Sequence, residues 1–181
     1  MDQERVWLEQ ALKGDTAAFG QLVRAYERPV YNLTYRMLGN SAEAEDAAQE
    51  TFLRAYTKLA TYQPNRKFVN WLLSIASHYC IDLLRRKGRA PQLSLDDALP
   101  PQWLASDVPQ PDQMVSKKQE REQVREMLDP LPPVYRTAVV LRYWYGMSYQ
   151  EIASTMDTTE SAIKSRLHRA RCMLAQRLKA A

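Results

Sequence analysis

Five prolines, Pro91, Pro100, Pro101, Pro109 and Pro111, fall between Arg89 and Asp112 of a chain that otherwise reads as helical almost throughout. Proline cannot continue a helix and favours extended backbone, so such a run separates the helices on its N-terminal side from those on its C-terminal side. The same stretch carries four aspartates and little periodicity. It reads as a flexible linker over 89–113, in which Trp103 and Leu104 either dock on a surface or are scattered without meaning. What remains is an N-terminal domain over 1–88 and a C-terminal domain over 114–181. Neither shows strand-like alternation of useful length. The predicted fold class is therefore all-α, two small helical domains joined by a flexible linker.

A chain of 181 residues suits one ordinary domain or two small ones. No tract approaches the roughly eighteen apolar residues of a membrane span, and the start, Met1-Asp2-Gln3-Glu4, lacks the charged-then-apolar pattern of a signal peptide. There are two cysteines, Cys80 and Cys172, far apart and without a CxxC spacing. Residues two apart on a helix do not share a face, so His78 and Cys80 make a poor metal pair. Neither a disulfide framework nor a zinc site is expected, and a reducing cytoplasm is the expected compartment. No cofactor or metal is expected. An enzyme acting on nucleic acid finds no support either: the carboxylates do not cluster, no glycine loop cradles phosphate, and no nucleophile has a convincing base.

Glycines and capping residues punctuate the helices. A short helix from about Glu4 to Lys13 should end at Gly14, and Asp15 should cap a second over Thr16–Leu38. Pro29 lies inside that second helix and should kink it, and Gly39 closes it. A third helix is expected over Ala42–Leu59 and a fourth from about Arg66 to Lys87. Helical pattern resumes from Met114 to Leu128, then over Val134–Trp144, Ser148–Met156 and Thr158–Leu178.

The net charge of +4 is modest, but its distribution is uneven. No acid follows Glu160, whereas Lys164, Arg166, Arg169, Arg171, Arg177 and Lys179 do. A solvated basic tail explains the cations less well than a phosphate-binding surface, because of the segment before them. Ser148 and Glu151 have Ser-x-x-Glu capping-box spacing, and Asp157 with Glu160 repeats the device at the next helix start. Two helices this close form a helix-turn-helix, in which the second helix can enter a DNA major groove. Ile163, Leu167, Ala170 and Leu174 make its packing stripe. Ser161, Ser165, His168, Arg169 and Cys172 lie opposite, flanked by Lys164, Arg166 and Arg171, offering hydrogen-bonding groups for bases and cations for phosphates.

In the N-terminal domain the third helix has an apolar stripe at Ala44, Ala48, Thr51, Phe52, Ala55 and Leu59. Asp46, Gln49, Glu50, Leu53 and Thr57 lie opposite. A leucine between carboxylates suits docking of a basic helical partner, and equally suits a plain surface helix with acids at its dipole-favoured end. The fourth helix should bury Phe68, Leu72, Ile75, Ala76, Tyr79 and Leu83. Its other side carries Asn70, Trp71, Ser74, His78 and Arg85, and the loop before it holds Tyr62, Asn65, Arg66 and Lys67. Aromatic and amide groups beside cations suit single-stranded DNA, whose unstacked bases need a platform and hydrogen-bond partners. Trp71 also reads as partly core, and His78 as a structural or surface histidine.

Three segments resemble the extracytoplasmic-function group of bacterial sigma factors. They are Asp46-Ala-Ala-Gln49-Glu50-Thr51-Phe52-Leu53-Arg54-Ala55-Tyr56, then Asn70-Trp71-Leu72-Leu73-Ser74-Ile75-Ala76 leading into Asp82-Leu83-Leu84-Arg85-Arg86, and Leu131-Pro132 through Ile163-Lys164-Ser165-Arg166-Leu167-His168-Arg169-Ala170-Arg171. They occur in family order and cover nearly the whole chain except the linker. The resemblance implies a protein that binds core RNA polymerase and directs promoter-specific initiation, and itself catalyses nothing. Asp46, Gln49, Glu50 and Leu53 would dock on the β′ clamp helices. The Tyr62–Lys67 loop and the Asn70–Arg85 face would open and read the −10 element, and the last helix would read the −35 element. The linker would thread towards the RNA exit path, the β subunit would be a further contact, and a separate anti-sigma protein would cover the polymerase-binding surfaces.

Two departures stand out. Met156-Asp157-Thr158-Thr159 occupies a turn where many relatives carry glycine, and Ala162-Ile163 replaces a common Thr-Val. The main alternative is a stand-alone helix-turn-helix repressor or activator, which would bind its operator without polymerase, usually as a dimer on spaced half-sites.

Overall fold

In a computed structural model, residues 2–88 and 117–180 are described, and the expected linker over 89–113 lies outside them. The described residues form eight α-helices: α1 Asp2–Leu12, α2 Thr16–Leu38, α3 Ser41–Thr57, α4 Phe68–Arg86, α5 Lys117–Leu128, α6 Pro133–Tyr143, α7 Tyr149–Thr155 and α8 Glu160–Ala180. One 3-10 turn, Leu59–Thr61, follows α3.

The local chemistry accounts for most helix ends. Asp15 accepts from the Ala17 and Ala18 amides at 2.8 and 3.1 Å, satisfying two of the donors that a helix start leaves open. Gly39 stops α2 in the left-handed conformation, φ 71°, and Asn40 accepts from the Glu43 amide to start α3. The α2 helix runs on through Pro29 to Leu38. Alanines 44, 47, 48 and 55 are buried on α3, and their small side chains allow close approach to α2. The buried Thr34 hydroxyl donates to the Ala44 carbonyl at 2.8 Å across that seam.

The start of α8 departs from the expected capping pair. Thr159, not Asp157, supplies the capping oxygen, accepting from the Ala162 amide at 3.2 Å. Asp157 instead sits in the left-handed region, φ 47°, and the Thr158 amide donates to the Ala153 carbonyl at 3.0 Å. That is a Schellman closure of α7, whose left-handed position ordinarily goes to glycine.

The α4 stripe also departs from expectation. Phe68, Leu72 and Ala76 are buried as expected, but Leu73, Ser77, Cys80, Ile81 and Leu84 join them while Ile75, Tyr79 and Leu83 are only partly covered. The reason is tertiary. One side of α4 packs on α2 and α3, and another meets α6 and α7 of the C-terminal half. The two halves thereby share one apolar core.

Candidate nucleic-acid and polymerase interfaces

The α3 helix presents one line of side chains away from this core. Asp46, Gln49 and Leu53 are exposed and Glu50 is half-buried, at the spacing that places residues on one helical face. Leu53 is 65% exposed, the largest value among the exposed large apolar residues described. Tyr56 extends the line at 44% exposure while its ring meets Phe19 edge-on at 5.0 Å. Sequence reasoning left Tyr56 out of this group, although its i+3 spacing from Leu53 would have included it. Glu50 accepts from Arg54 Nε at 2.7 Å, and the Arg54 guanidinium lies 4.5 Å over the Tyr79 ring of α4. The carboxylate is thus held at a fixed place on the face.

The loop into α4 divides its predicted residues. Asn65, Arg66 and Lys67 are exposed, but Tyr62 is buried and its hydroxyl donates to the Arg66 carbonyl at 2.6 Å. Tyr62, Phe68 and Trp71 form a ring cluster with centroids 5.3–5.5 Å apart. Tyr62 therefore shapes the loop from within, because a flat ring beside Phe68 gains more from burial than from water. Trp71 is half-buried, keeping part of its ring at the surface beside Asn70 and Ser74. Along α4, His78 Nδ1 lies 2.9 Å from the Ser74 carbonyl. A carbonyl only accepts, so Nδ1 is the donor in that contact, which leaves Nε2 on the side of Asp157. Arg85 is exposed at the far end.

On α8, Ser161, Lys164, Ser165, His168 and Arg171 are exposed along one stripe, opposite the buried Ile163, Leu167 and Ala170. Cys172 lies on the same side, 3.7 Å from His168 Nε2. Arg166 and Arg169 are half-buried and turn to the flanks. Arg169 donates to the Tyr135 hydroxyl at 3.2 Å. Burial lowers the basicity of Arg166, with Tyr135 opposing the effect and the Arg85 cation adding to it. Lys164 Nζ stands 5.9 Å from the Tyr149 ring centroid, and the Arg142 guanidinium 5.1 Å from it.

The capping box of α7 is formed, with Ser148 and Glu151 bonding reciprocally at 2.9 and 3.1 Å. The free edge of the same carboxylate reaches the other half. Glu151 Oε1 accepts from Lys67 Nζ at 3.2 Å and from Asn70 Nδ2 at 3.3 Å. These bonds, led by that from the Ser148 amide, hold the Glu151 carboxyl down at about 2 against the opposing effect of burial. His78 Nε2 lies 3.6 Å from Asp157 Oδ2. Sequence reasoning missed these contacts, since partners more than seventy residues apart leave no local pattern.

Among the described residues, no group of three or more His, Cys, Asp or Glu could hold a metal ion, and no helix is long and apolar enough to cross a membrane. Residues 22–90 match the family described as sigma-70 region 2, and residues 121–174 match sigma-70 region 4. The ECF RNA polymerase sigma factor SigW of Bacillus subtilis is 36% identical over 178 residues, covering 95% of each chain. The ECF RNA polymerase sigma factor SigE of Mycolicibacterium smegmatis is 37% identical over 89% of this chain and 63% of its own. Among solved structures, CnrH in complex with the cytosolic domain of CnrY superposes with a TM-score of 0.72, 26% identity and 99% coverage of each chain.

Proposed function

The chain belongs to the extracytoplasmic-function group of RNA polymerase sigma factors, and from that premise we propose which of its surfaces carry the work. As a sigma factor it binds core RNA polymerase and directs promoter-specific initiation, so the stand-alone repressor or activator reading falls away. The chemistry of transcription stays with the polymerase, and the chain itself is no enzyme.

We assign residues 1–88 to polymerase binding and the −10 element, and residues 114–181 to the −35 element, with 89–113 as the linker between them. The Asp46, Gln49, Glu50 and Leu53 face of α3 docks on the β′ clamp helices. The observation that carries this is the adjoining exposed pair Leu53 and Tyr56, 65% and 44% exposed, beside the Glu50 carboxylate that Arg54 holds. Asn65, Arg66, Lys67, Asn70, Trp71, Ser74, His78 and Arg85 meet the −10 element, with Tyr62 supporting the loop from inside. Ser161, Lys164, Ser165, His168 and Arg171 enter the −35 groove, while Arg166 and Arg169 flank it. Action in the cytoplasm and control by an anti-sigma protein complete the reading, supported by the family and by CnrH having been solved with a second protein.

The test is run-off transcription with core polymerase and fragmented genomic template. Transcripts that depend on the chain, and that vanish when Asp46 and Glu50 are both changed to Lys while the fold survives, support the docking assignment. Undiminished transcription by that variant overturns it.

A further inference from the structure

Glu151 already has a complete role in capping α7, yet its outer oxygen is also bonded to two groups of the opposite half. Those groups, the Lys67 ammonium and the Asn70 amide, form a pair of donors converging on one anionic oxygen. Single-stranded nucleic acid offers a phosphate oxygen or a base carbonyl of the same kind to such a pair. A DNA acceptor seated between the two donors has to displace the carboxylate from the point where they converge, although the Lys67 ammonium, 73% exposed, keeps hydrogens turned to solvent. Trp71 and Ser74 lie on the same helix, and the neighbouring His78 Nε2 faces the turn residue Asp157. The helix-turn-helix thus meets the α4 face at Lys67, Asn70 and His78 without closing it off, while Arg85 at its end lies near enough to Arg166 for the two cations to oppose each other.

We infer that Glu151 is an internal competitor for the −10 strand: in the closed chain its carboxylate fills the Lys67–Asn70 donor pair, and the helix-turn-helix must leave α4 before that pair can take DNA. The inference rests on the assignment of α4 to the −10 element. Opening exchanges one anion for another at the donor pair, so it is cheap there. Its cost lies in the apolar seam and in bonds beyond the latch, among them Tyr145 Oη to the Pro29 carbonyl at 2.6 Å, Arg136 to the Met37 carbonyl and Thr137 Oγ1 to Met37 Sδ at 3.4 Å. A partner that separates the two halves, as a polymerase engaging them at distant points would, therefore frees the reading face. By reciprocity, DNA on that face favours the open chain.

The probe is a fluorescein-labelled, single-stranded 20-mer of random sequence, titrated into the full chain without polymerase. Glu151→Gln keeps a capping residue and removes the charge, so the fold is retained. Glu126→Gln, an exposed acid on α5, controls for the change in net charge. Glu151→Gln should bind the probe roughly threefold more tightly than the control, as loss of one partly exposed charged contact allows. Equal affinity for the two variants overturns the inference. If adding Asn70→Ala to Glu151→Gln leaves probe binding unchanged, it is the −10 assignment that fails. Closure has its own readout, the distance between dyes at Ala60→Cys and Gln176→Cys in a Cys172→Ser background, where Cys80 is buried and unlabelled. Asn70→Asp, which sets two carboxylates together, should lengthen that distance, and so should saturating probe. A distance unmoved by both overturns the inference as well.

Discussion

The Arg136 guanidinium of α6 donates to the Met37 carbonyl at the end of α2, joining the two halves through a buried cation. The same side chain donates to the Asp129 carbonyl at 2.6 Å, and Asp129 Oδ1 lies 3.5 Å from it. Burial lowers the Arg136 basicity and the Asp129 charge partly restores it. A cation at a helix C-terminus is well placed, since α2 ends there with carbonyls that no further turn can satisfy.

Arg136→Ala should therefore destabilise the chain by about 2–4 kcal/mol, through carbonyls left buried without donors. Equilibrium urea unfolding measures it. A loss below about 1 kcal/mol would show that water replaces the guanidinium freely.

Asp157 occupies a left-handed position, φ 47°, in the Schellman turn between α7 and α8. Asp tolerates that conformation better than most residues, but glycine adopts it without a Cβ penalty. Asp157→Gly should leave the helix-turn-helix intact and raise stability by up to about 1 kcal/mol, while Asp157→Val should lower it by more than that. Thermal melts of the three proteins give the order, and a valine variant as stable as the glycine one would contradict the strain.

Much of this architecture was legible because it is local. Asp15, Gly39 and the Ser148–Glu151 box act within a few residues, so their chemistry sets helix ends wherever the chain goes. The exposed line of Asp46, Gln49 and Leu53 followed from spacing alone. The α4 register was not legible, because α6 and α7 meet a second side of the helix, and Leu73, Ile81 and Leu84 are buried beyond the stripe that packing on α2 and α3 alone would need. Capping at α8 misled for a related reason. Asp157 is a good capping residue by type, but the Schellman closure of α7 took its backbone and left the cap to Thr159. The double use of Glu151 depends on Lys67 and Asn70 arriving from far along the chain, which no window of sequence contains.

Glu151 gives a pH dependence with a definite sign. Its carboxyl is held at about 2, below the ordinary 4.5, chiefly by the Ser148 amide and then by Lys67 among the side chains. A depressed carboxylate adds stability that is complete above about pH 4.5 and is lost as pH falls towards 2. The side chain remains 33% exposed, so the contribution is that of a cap and a screened ion pair, about 1 kcal/mol. The stability difference between wild type and Glu151→Gln should stay constant from pH 7 to pH 5 and shrink by pH 3. A gap that widens on acidification would reverse the sign.

The two kinds of cation on α8 should separate in solution. Lys164 is exposed on the polar stripe of α8, whereas Arg169 is half-buried against the Tyr135 hydroxyl of α6. Lys164→Ala should weaken holoenzyme binding to a −35 duplex by about 1–3 kcal/mol if the ammonium meets a base. If it meets phosphate, the loss should be uniform across sequences, with a salt slope shallower by about one. In neither case should it alter the melting temperature appreciably. Arg169→Ala removes a bond that anchors α8 to α6, so it should lower the melting temperature as well as DNA affinity, and Tyr135→Phe should reproduce the stability part alone. If Tyr135→Phe melts like wild type while Arg169→Ala still loses DNA, Arg169 leaves Tyr135 for the duplex. The flank would then belong to the reading surface with Lys164.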